Sequence, residues 1–390
     1  DYASLNPAPL PLFKKLASPL GIDFMHQEDI YTDFNREKLL PYSLADRGPA
    51  FARGDLNGDG KEDLFLGGSK RIAPTVFFAS DSSFTRQSSE EMALDSLQED
   101  VVAAIADFDA DGRNDLLLGS GGGDYFGEAP PLLDRLYRNS PSGLQQAPFP
   151  EYYANTSVIR PFDYDMDGDM DLFLGAQSLT GRFGEIPASH LLENTGGSFR
   201  AVDSFNGKSL GMITDAVWSD FDADGRKDLI VVGEWMSPRF FKNTTEGLKE
   251  IALEGPSGLW QCISPYDIDG DGDTDYLLGN WGTNSKFVAT AATPLKMYFS
   301  DFDSNGSTET VVATAKKGSY YTLVSLDDLG AQMVSLRKKY PNYKSFAGKP
   351  IEDIFGPEAL QAARLYEATE LRSGYLKNEE GHFKYYPFPN

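Results

Sequence analysis

One acidic loop, with the pattern D-x-(D/N)-x-(D/N)-G-x-x-(D/E), occurs six times in the chain, and a short apolar run follows each copy. The first aspartates of the copies are Asp55, Asp107, Asp163, Asp220, Asp267 and Asp301. Successive loops therefore begin 52, 56, 57, 47 and 34 residues apart. A unit recurring at roughly 20 to 50 residues is typical of repeat architectures in which each copy is one supersecondary element. The spacing favours one array of repeats over several unrelated domains.

The residue types in each loop suit a hard divalent cation. Side-chain oxygens recur at positions 1, 3, 5 and 9, glycine at position 6 allows a sharp turn, and position 7 can offer its backbone carbonyl. This donor set predicts Ca²⁺, with up to six ions as cofactors. The predicted metal-ligating residues are Asp55, Asn57, Asp59, Lys61, Asp63, Asp107, Asp109, Asp111, Arg113, Asp115, Asp163, Asp165, Asp167, Asp169, Asp171, Asp220, Asp222, Asp224, Arg226, Asp228, Asp267, Asp269, Asp271, Asp273, Asp275, Asp301, Asp303, Asn305, Ser307 and Glu309.

These loops differ from EF-hands, because position 12 holds Leu or Val where an EF-hand has a bidentate Glu. A single acidic loop of this kind can be a solvated turn, but six copies in phase argue against that interpretation. Carboxylates about 5 Å apart repel by roughly 3 kcal/mol per pair at an effective dielectric of 20. We therefore expect an empty loop to resist its compact turn and a bound cation to favour it.

The formal net charge of -24 is explained by the loops. Loop positions 1, 3, 5 and 9 carry 22 carboxylates, which account for all but two of these charges. The only short basic run is Arg337–Lys339, so a nucleic-acid partner is excluded. No apolar stretch approaches the ~18 to 20 residues of a membrane span. The single cysteine, Cys262, is predicted to be a buried small hydrophobe.

Each repeat has the same strand pattern. A run of small and β-branched residues precedes the loop, and a run that is apolar at every position, hence buried on both faces, follows it. A hairpin pattern of apolar pair, Asn and turn comes next, starting at Leu136, Leu191, Phe240 and Gly374. The chain is therefore predicted to be an all-β propeller, one domain over residues 1–390, with six or seven four-stranded blades and Ca²⁺ loops between first and second strands.

Two regions depart from the repeat. Only 34 residues separate Asp267 from Asp301, which predicts a truncated blade. From 326 to 371 the apolar spacing becomes helix-like, and Pro341, Pro350 and Pro357 interrupt it, so we predict a small helical insertion of short helices. At the ends of the chain, residues 11–22 and 382–390 resemble fourth strands, which are predicted to pair and close the ring.

Partner-binding residues are expected on the face opposite the metal loops. In an up-and-down blade the connections between strands two and three emerge there, and these connections are long. The candidate partner-binding residues are Tyr125, Phe126, Arg182, Phe183, Trp235, Trp281 and Asn284. Exposed aromatic side chains beside polar groups suit a protein interface or a sugar face, whereas the alternative is that they pack together to stabilise the loops.

At its loops the chain resembles the FG-GAP or VCBS repeat superfamily, the integrin-α-type propellers with calcium in the first hairpin of a blade. More narrowly, the segments starting at Gly48, Tyr276, Lys344 and Glu370 resemble propellers of cartilage-acidic-protein-like and Bacteroidetes surface proteins. This resemblance implies a segment of a larger protein that is secreted or displayed at the outer membrane. It implies no catalytic residues.

Two function classes remain open. The first is a calcium-stabilised, non-catalytic scaffold that engages a protein or glycan partner at a cell surface, for example as a member of an outer-membrane assembly. An extracellular or outer-membrane location fits such loops, because extracellular modules bind Ca²⁺ at about 10⁻⁴ to 10⁻³ M. The alternative is a calcium-dependent polysaccharide lyase-type propeller enzyme with a Lys, Tyr or His base. The three histidines, His26, His190 and His382, lie in no recognisable catalytic motif.

Overall fold

The computed structural model describes residues 13–389 except residues 88, 96, 206, 254 and 380. Most strands belong to five consecutive four-stranded antiparallel groups, here called blades 1 to 5. Blade 1 is β1 (Phe51–Gly54), β2 (Asp63–Leu66), β3 (Thr75–Ala79) and β4 (Phe84–Gln87); blade 2 is β5 (Asp100–Ala106), β6 (Asp115–Ser120), β7 (Arg135–Ser140) and β8 (Gly143–Ala147). The predicted all-β, propeller-like fold class is confirmed.

Blades 3 and 4 follow the same order, and β14 also pairs at its end with β17 of blade 5. Blade 3 is β9 (Asn155–Phe162), β10 (Asp171–Ser178), β11 (His190–Thr195) and β12 (Ser198–Ala201); blade 4 is β13 (Met212–Ser219), β14 (Asp228–Met236), β15 (Arg239–Thr244) and β16 (Gly247–Ile251). The first strands lie side by side along the series, β1 by β5, β5 by β9, β9 by β13 and β13 by β17.

Blade 5 is interrupted by an insertion. Its first two strands are β17 (Gly258–Tyr266) and β18 (Asp275–Asn280), and its outer hairpin is β23 (Gly374–Glu379) and β24 (His382–Pro387). Between β18 and β23 the chain forms a separate sheet, here called the inserted sheet, in the order β21-β20-β19-β22. Its strands are β19 (Leu295–Ser300), β20 (Glu309–Lys316), β21 (Ser319–Thr322) and β22 (Arg364–Ala368).

This insertion corrects the predicted truncated blade. The sixth loop is not in the next blade of the series; it joins β19 to β20 inside the insertion, which explains the short interval after Asp267. The predicted helical insertion is confirmed as far as residue 362, but 364–368 is a strand. Its helices are α2 (Leu326–Gln332), α3 (Val334–Lys339), α4 (Tyr343–Phe346), α5 (Ile351–Phe355) and α6 (Pro357–Ala362), while α1 (Glu90–Leu94) and two 3₁₀ turns (Asp33–Asn35, Pro130–Leu132) lie outside it.

An apolar core lies between each pair of neighbouring blades. The second strand contributes to two cores at once: Leu116 and Leu118 pack towards blade 1, and Leu117 packs towards blade 3. Both sets are fully buried. Comparable cores lie between blades 3 and 4 and between blades 4 and 5. Alternating side chains of a strand point to opposite faces, so a run that is apolar at every position is required here.

The predicted ring closure by the chain ends is wrong for the described residues. Residues 13–22 form no strand, and the carbonyl of Leu20 accepts a hydrogen bond from Phe84 in β4, on the outer edge of blade 1. Residues 11 and 12 of that prediction lie outside the described part. The C-terminal segment does form a fourth strand, but β24 pairs with β23. Cys262 is exposed rather than buried, because β17 belongs to the last blade of the series and no further blade follows it among the described residues.

The face opposite the five blade loops is largely covered. The inserted sheet packs there against Phe183, Trp235 and Leu259, and its other side carries the helices α2 to α6. The segment 33–47 also crosses this face and contributes Leu40, Tyr42 and Leu44 to the same core. This face is therefore a packed layer over blades 3 to 5.

Candidate functional site

The six acidic loops have one common conformation. The position-1 aspartate accepts a hydrogen bond from the backbone N–H of the position-6 glycine in every loop, at 2.7 to 3.2 Å. All six of these glycines have positive φ, which glycine adopts without strain. Position 4 is also left-handed in every loop, although four of the loops have Ala110, Met166, Ala223 or Ser304 there. The loops therefore maintain a tight turn that a side chain at position 4 disfavours.

Position 9 is the first residue of the strand after each loop, and its carboxylate is buried. One oxygen accepts the backbone N–H of position 2 in all six loops, at 2.8 to 3.3 Å. In blades 1 to 5 the second oxygen accepts a backbone N–H from the third strand, for example Asn194 to Asp171 at 2.8 Å. This side chain thus ties the loop, the second strand and the third strand together.

Carboxylates from separate loop positions converge. Positions 1, 3 and 9 place three ligand atoms within 4.8 Å of one another in the second, third, fourth and sixth loops, and positions 1, 3 and 5 do so in the fifth. The first loop has Asn57 at position 3 and forms no three-carboxylate group among the described residues. Position 5 outside the fifth loop, and the carbonyl at position 7, remain predictions.

Several loop oxygens are buried without a hydrogen-bond donor. These atoms include Asp169 Oδ1 in the third loop, Asp222 Oδ1 in the fourth, and Asp303 Oδ1 and Glu309 Oε1 in the sixth. Glu309 is 1% exposed. Burying a carboxylate oxygen without a partner is costly, and a cation among the oxygens removes that cost. The residues present therefore fit a hard cation of the Ca²⁺ type, which would neutralise the converging charges and tie the first strand of a blade to its second.

The hairpin asparagines link neighbouring blades. The Asn194 side-chain amide donates to the carbonyl of Phe108, position 2 of the preceding blade's loop, at 2.8 Å, and to Met170 in its own loop at 3.0 Å. Asn139, Asn243 and Asn378 make the same pair of bonds and, like Asn194, are buried. We call each such pair an asparagine clasp. The sequence pattern contained these asparagines, but only the structure shows that they join one blade to the loop of the blade before it.

The predicted partner residues do not form one surface. Phe183 and Trp235 are 1% and 4% exposed, so their prediction as surface residues is wrong: they pack with Tyr42 in the core under the inserted sheet. Trp281 is half-buried against Tyr42, with ring centroids 4.5 Å apart. Trp235 and Trp281 do share one location, as their common register indicated, but that location is a core.

The other four candidates lie at or near the surface. Tyr125 is half-buried beneath the ammonium of Lys70, 5.0 Å from the ring centroid. Phe126 is 63% exposed, and the guanidinium of Arg36 lies 4.9 Å from its ring centroid. Arg182 is exposed and pairs with Glu185, and Asn284 is exposed. Their role in binding remains a prediction.

Two clefts meet at Phe126. One, of about 280 Å³, lies between the 33–47 segment and the sixth loop and includes Arg36, Glu37 and Glu309. The other, of about 500 Å³, lies between blades 2 and 3 and includes Tyr153, Asn155 and Arg182. Gly181 also borders both clefts. We call this continuous region the Phe126 groove.

Sequence reasoning missed the N-terminal residues of this face. Glu37 accepts the backbone N–H groups of Gly181 and Phe183, and Arg36 donates to the carbonyl of Gly123 at 3.0 Å. Deeper in the face, the buried Glu234 accepts the Tyr42 hydroxyl and the side-chain amides of Gln177 and Gln261, both at 2.9 Å. Tyr42, Arg36 and Glu37 lie outside the repeats, so no sequence pattern could indicate these contacts.

Comparison with protein families gives three matches to the FG-GAP-like repeat, at residues 55–118, 107–174 and 220–278. Residues 55–174 and 220–278 therefore consist of FG-GAP-like repeats, which supports the predicted resemblance to the FG-GAP repeat superfamily. The matches coincide with the loops and second strands of blades 1 to 5, so the chain is a β-propeller-type scaffold. The narrower resemblance to cartilage-acidic-protein-like and Bacteroidetes proteins remains a prediction. Comparison with curated proteins gives no match.

Solved structures similar to this chain share little sequence with it. The Vibrio cholerae biofilm matrix protein Bap1 is 13% identical with a TM-score of 0.33, over 72% of this chain and 39% of Bap1. A triple-mutant AofleA from Arthrobotrys oligospora is 10% identical with a TM-score of 0.38, over 71% and 73%. A GH43 β-1,3-galactosidase solved with galactodeoxynojirimycin is 12% identical with a TM-score of 0.33, over 70% and 93%. In the described residues, no helix is long and apolar enough to cross a membrane.

Replacing Asn243 with Ala removes one asparagine clasp and leaves the buried carbonyls of Tyr164 and Lys227 without a donor. We expect this to lower the free energy of unfolding by about 1–3 kcal/mol. Urea denaturation measures the change. The matched control is Asn284→Ala at an exposed position, which should change the stability by less than about 0.5 kcal/mol. Equal effects of the two substitutions would show that the clasp contributes nothing.

Burial raises the pKa of the position-9 carboxyl groups, to about 7 for Asp171 and Glu309 and to about 6 for Asp228. In the metal-free protein these groups bind protons more tightly when folded than when unfolded, so their favourable contribution is lost as pH rises towards 7. We expect the metal-free protein to be less stable at about pH 8 than at about pH 5, by urea denaturation. Saturating Ca²⁺ favours the ionised groups and should flatten this slope; stability that rises with pH without metal would contradict the prediction.

Proposed function

We propose that this protein is a calcium-stabilised, non-catalytic binding scaffold of a secreted or cell-surface protein, which engages a protein or glycan partner on the side opposite the blade loops. The observation that carries the calcium part is the set of converging carboxylates, with buried oxygens of Asp222, Asp303 and Glu309 lacking donors. Six loops of one conformation, repeated in phase with the strands, support a structural role for the ions. The FG-GAP repeats are consistent with this role.

An extracellular or outer-membrane-surface location follows from the same proposal. Loop sites of extracellular modules bind Ca²⁺ at about 10⁻⁴ to 10⁻³ M, a concentration that free cytosolic calcium does not reach. Blades that depend on such ions would be held together only where calcium is abundant. A place in an outer-membrane assembly is compatible with this location and is part of the proposal.

The Phe126 groove is the proposed partner site. Phe126 is 63% exposed, whereas Phe183 and Trp235 on the same face are buried. Arg36, Glu37 and Arg182 surround it with both signs of charge, and Tyr153 and Asn155 add hydrogen-bonding groups. An exposed ring bordered by polar groups suits stacking against a sugar or packing against an aromatic or apolar side chain. Since the groove is built from several separate chain segments on a rigid scaffold, it is preorganised for binding.

The alternative is a calcium-dependent polysaccharide lyase-type enzyme. Among the described residues of the groove, Tyr153 has a side chain of a type that fits a lyase base. Its hydroxyl donates a hydrogen bond to Glu151 at 3.0 Å. Neither His nor Lys lines the groove within the described residues. His26 pairs with Glu28, and His190 stacks on Tyr152 at 3.6 Å, both away from the groove. We therefore favour the non-catalytic scaffold. Incubation with uronate-containing polysaccharides distinguishes the two, because a lyase generates unsaturated products that absorb ultraviolet light.

Removal of calcium should destabilise the protein. A site filled at 100 times its Kd adds about 2.7 kcal/mol to the free energy of unfolding, and several sites are linked through the clasps. We expect chelation to lower the melting temperature markedly and Ca²⁺, added back, to restore it, as calorimetry will show. The Asp228→Asn variant should lose part of the calcium response, whereas Asp81→Asn, on an exposed turn, should keep all of it. A melting temperature that chelation leaves unchanged would contradict the proposal.

Replacing Phe126 with Ala should abolish partner capture without changing the calcium-dependent melting. The partner is sought by screening a glycan array and by affinity capture from the native cell surface. The matched control is Phe51→Ala, because Phe51 is similarly exposed at 57% but lies on β1 of blade 1. Binding at least about tenfold weaker, or 1.4 kcal/mol, in the Phe126 variant alone is the expected result. Equal binding by both variants would remove the groove from the proposal.

A further inference from the structure

The residue before each asparagine of the clasps faces the metal loop of its own blade. In blades 2, 4 and 5 this residue is a cation. Arg138 pairs with Asp109, Lys242 pairs with Asp222 and lies 3.0 Å from Asp224, and Lys377 lies 2.8 Å from Asp269. In each case the partner includes the position-3 aspartate. In each of these loops, therefore, a Lys or Arg side chain pairs with one of the predicted metal ligands.

Blade 3 has the opposite charge at this position. Glu193 stands where the other blades have Arg or Lys, and position 7 of the loop is a further acid, Asp169. Its partner Arg200 is 3.7 Å away and 81% exposed, on the solvent side of the hairpin. In the described part of the chain, no Lys or Arg pairs with any of the five aspartates of this loop. Asp169 Oδ1 is buried and accepts no hydrogen bond.

We propose that the residue before the clasp asparagine grades the calcium affinity of the loops, with the third loop binding most tightly and the loops of blades 2, 4 and 5 more weakly. The inference rests on the proposed calcium role. The charge of Glu193 adds to the attraction for a divalent cation, whereas Lys242 and Lys377 reduce it and occupy a carboxylate oxygen. Blades 2, 4 and 5 retain a cation that offsets carboxylate repulsion when calcium is scarce. The third loop depends on the ion alone.

The grading implies an order of loading. Because the third loop attracts the ion most strongly, it fills first as calcium rises and empties last as calcium falls. The third blade lies in the middle of the series, and its clasp holds the second loop while the clasp of Asn243 holds the third. Ion binding there would stabilise blades on both sides before the other loops are occupied.

Terbium luminescence tests this order loop by loop. Trp218 stacks on Tyr164, position 2 of the third loop, with ring centroids 6.4 Å apart, and it lies two residues before Asp220 of the fourth loop. Selective excitation of tryptophan therefore sensitises Tb³⁺ in these two loops. The other three tryptophans lie in β14, β17 and the β18–β19 connection, further along the chain from the third and fourth loops. Asp165→Ala and Asp222→Ala assign the signal to the third and fourth loops. Displacement by Ca²⁺ then gives each affinity.

Two charge reversals should move the affinities in opposite directions. Glu193→Lys should weaken the third loop about tenfold or more, and Lys242→Glu should tighten the fourth by a similar factor. Lys338→Glu is the matched control, since Lys338 is exposed on α3 of the insertion, outside the five blades; it should change either affinity less than about twofold. In chelator, Glu193→Lys should raise the melting temperature and Lys242→Glu should lower it.

The outcomes separate this inference from the proposed function. Equal affinities of the third and fourth loops, or an affinity of the third loop that Glu193→Lys leaves unchanged, would overturn the grading while leaving calcium binding intact. Failure of the wild-type protein to bind Tb³⁺ or Ca²⁺ in either loop would overturn the proposed function itself. The melting temperatures in chelator provide a readout that does not depend on metal binding by the variants.

Discussion

The structure depends on six buried carboxylates at position 9 of the loops. Each accepts a backbone N–H from its own loop, and in the five blades each also accepts one from the third strand, so one side chain holds three segments in place. A buried carboxylate is stable only if its charge is compensated, and hydrogen bonds alone leave the Glu309 Oε1 atom unpaired. The carboxylates at positions 1 and 3, only 4.8 Å or less away in four of the loops, increase the need for a cation. The same carboxylates that organise a blade therefore form the site at which we propose that the cation binds.

The asparagine clasps extend this local arrangement along the series. Each clasp joins the third strand of one blade to the loop carbonyl of the blade before it, so the conformation of one metal loop bears on its neighbour. Together with cores shared between adjacent second strands, this makes the array quasi-one-dimensional, with stability set by each unit and its neighbours. If an ion leaves one loop, we expect the blade joined to that loop by a clasp to be destabilised first. This coupling gives a physical reason for a difference in charge between the third loop and the others to matter beyond blade 3.

The elements that the sequence predicted correctly are those defined by local periodicity. The loops, the doubly buried second strands and the hairpins with Asn139, Asn194, Asn243 and Asn378 all follow from repeated patterns. The insertion within blade 5 did not, because pairing of β18 with β23 joins segments separated by the whole inserted sheet and its helices, and no local pattern encodes it. The prediction of Phe183 and Trp235 as surface residues failed for a related reason. Register correctly indicated that Trp235 and Trp281 share a location, but it could not show that Tyr42 and the inserted sheet cover it.

The two sides of the molecule differ in how strongly the structure constrains their residues. On the loop side, most polar groups have a structural role. Positions 1, 6 and 9 stabilise the turn, and the asparagine clasps join the loop to the neighbouring blade. A substitution there changes metal affinity or stability before it changes recognition. On the other side, the segment 33–47, the inserted sheet and the long connections differ from blade to blade and supply residues that no repeat constrains. Most of these residues are buried by packing, as Phe183 is. On the proposed function, recognition is thereby confined to the margin of the packed layer, where Phe126 retains an exposed ring between oppositely charged neighbours.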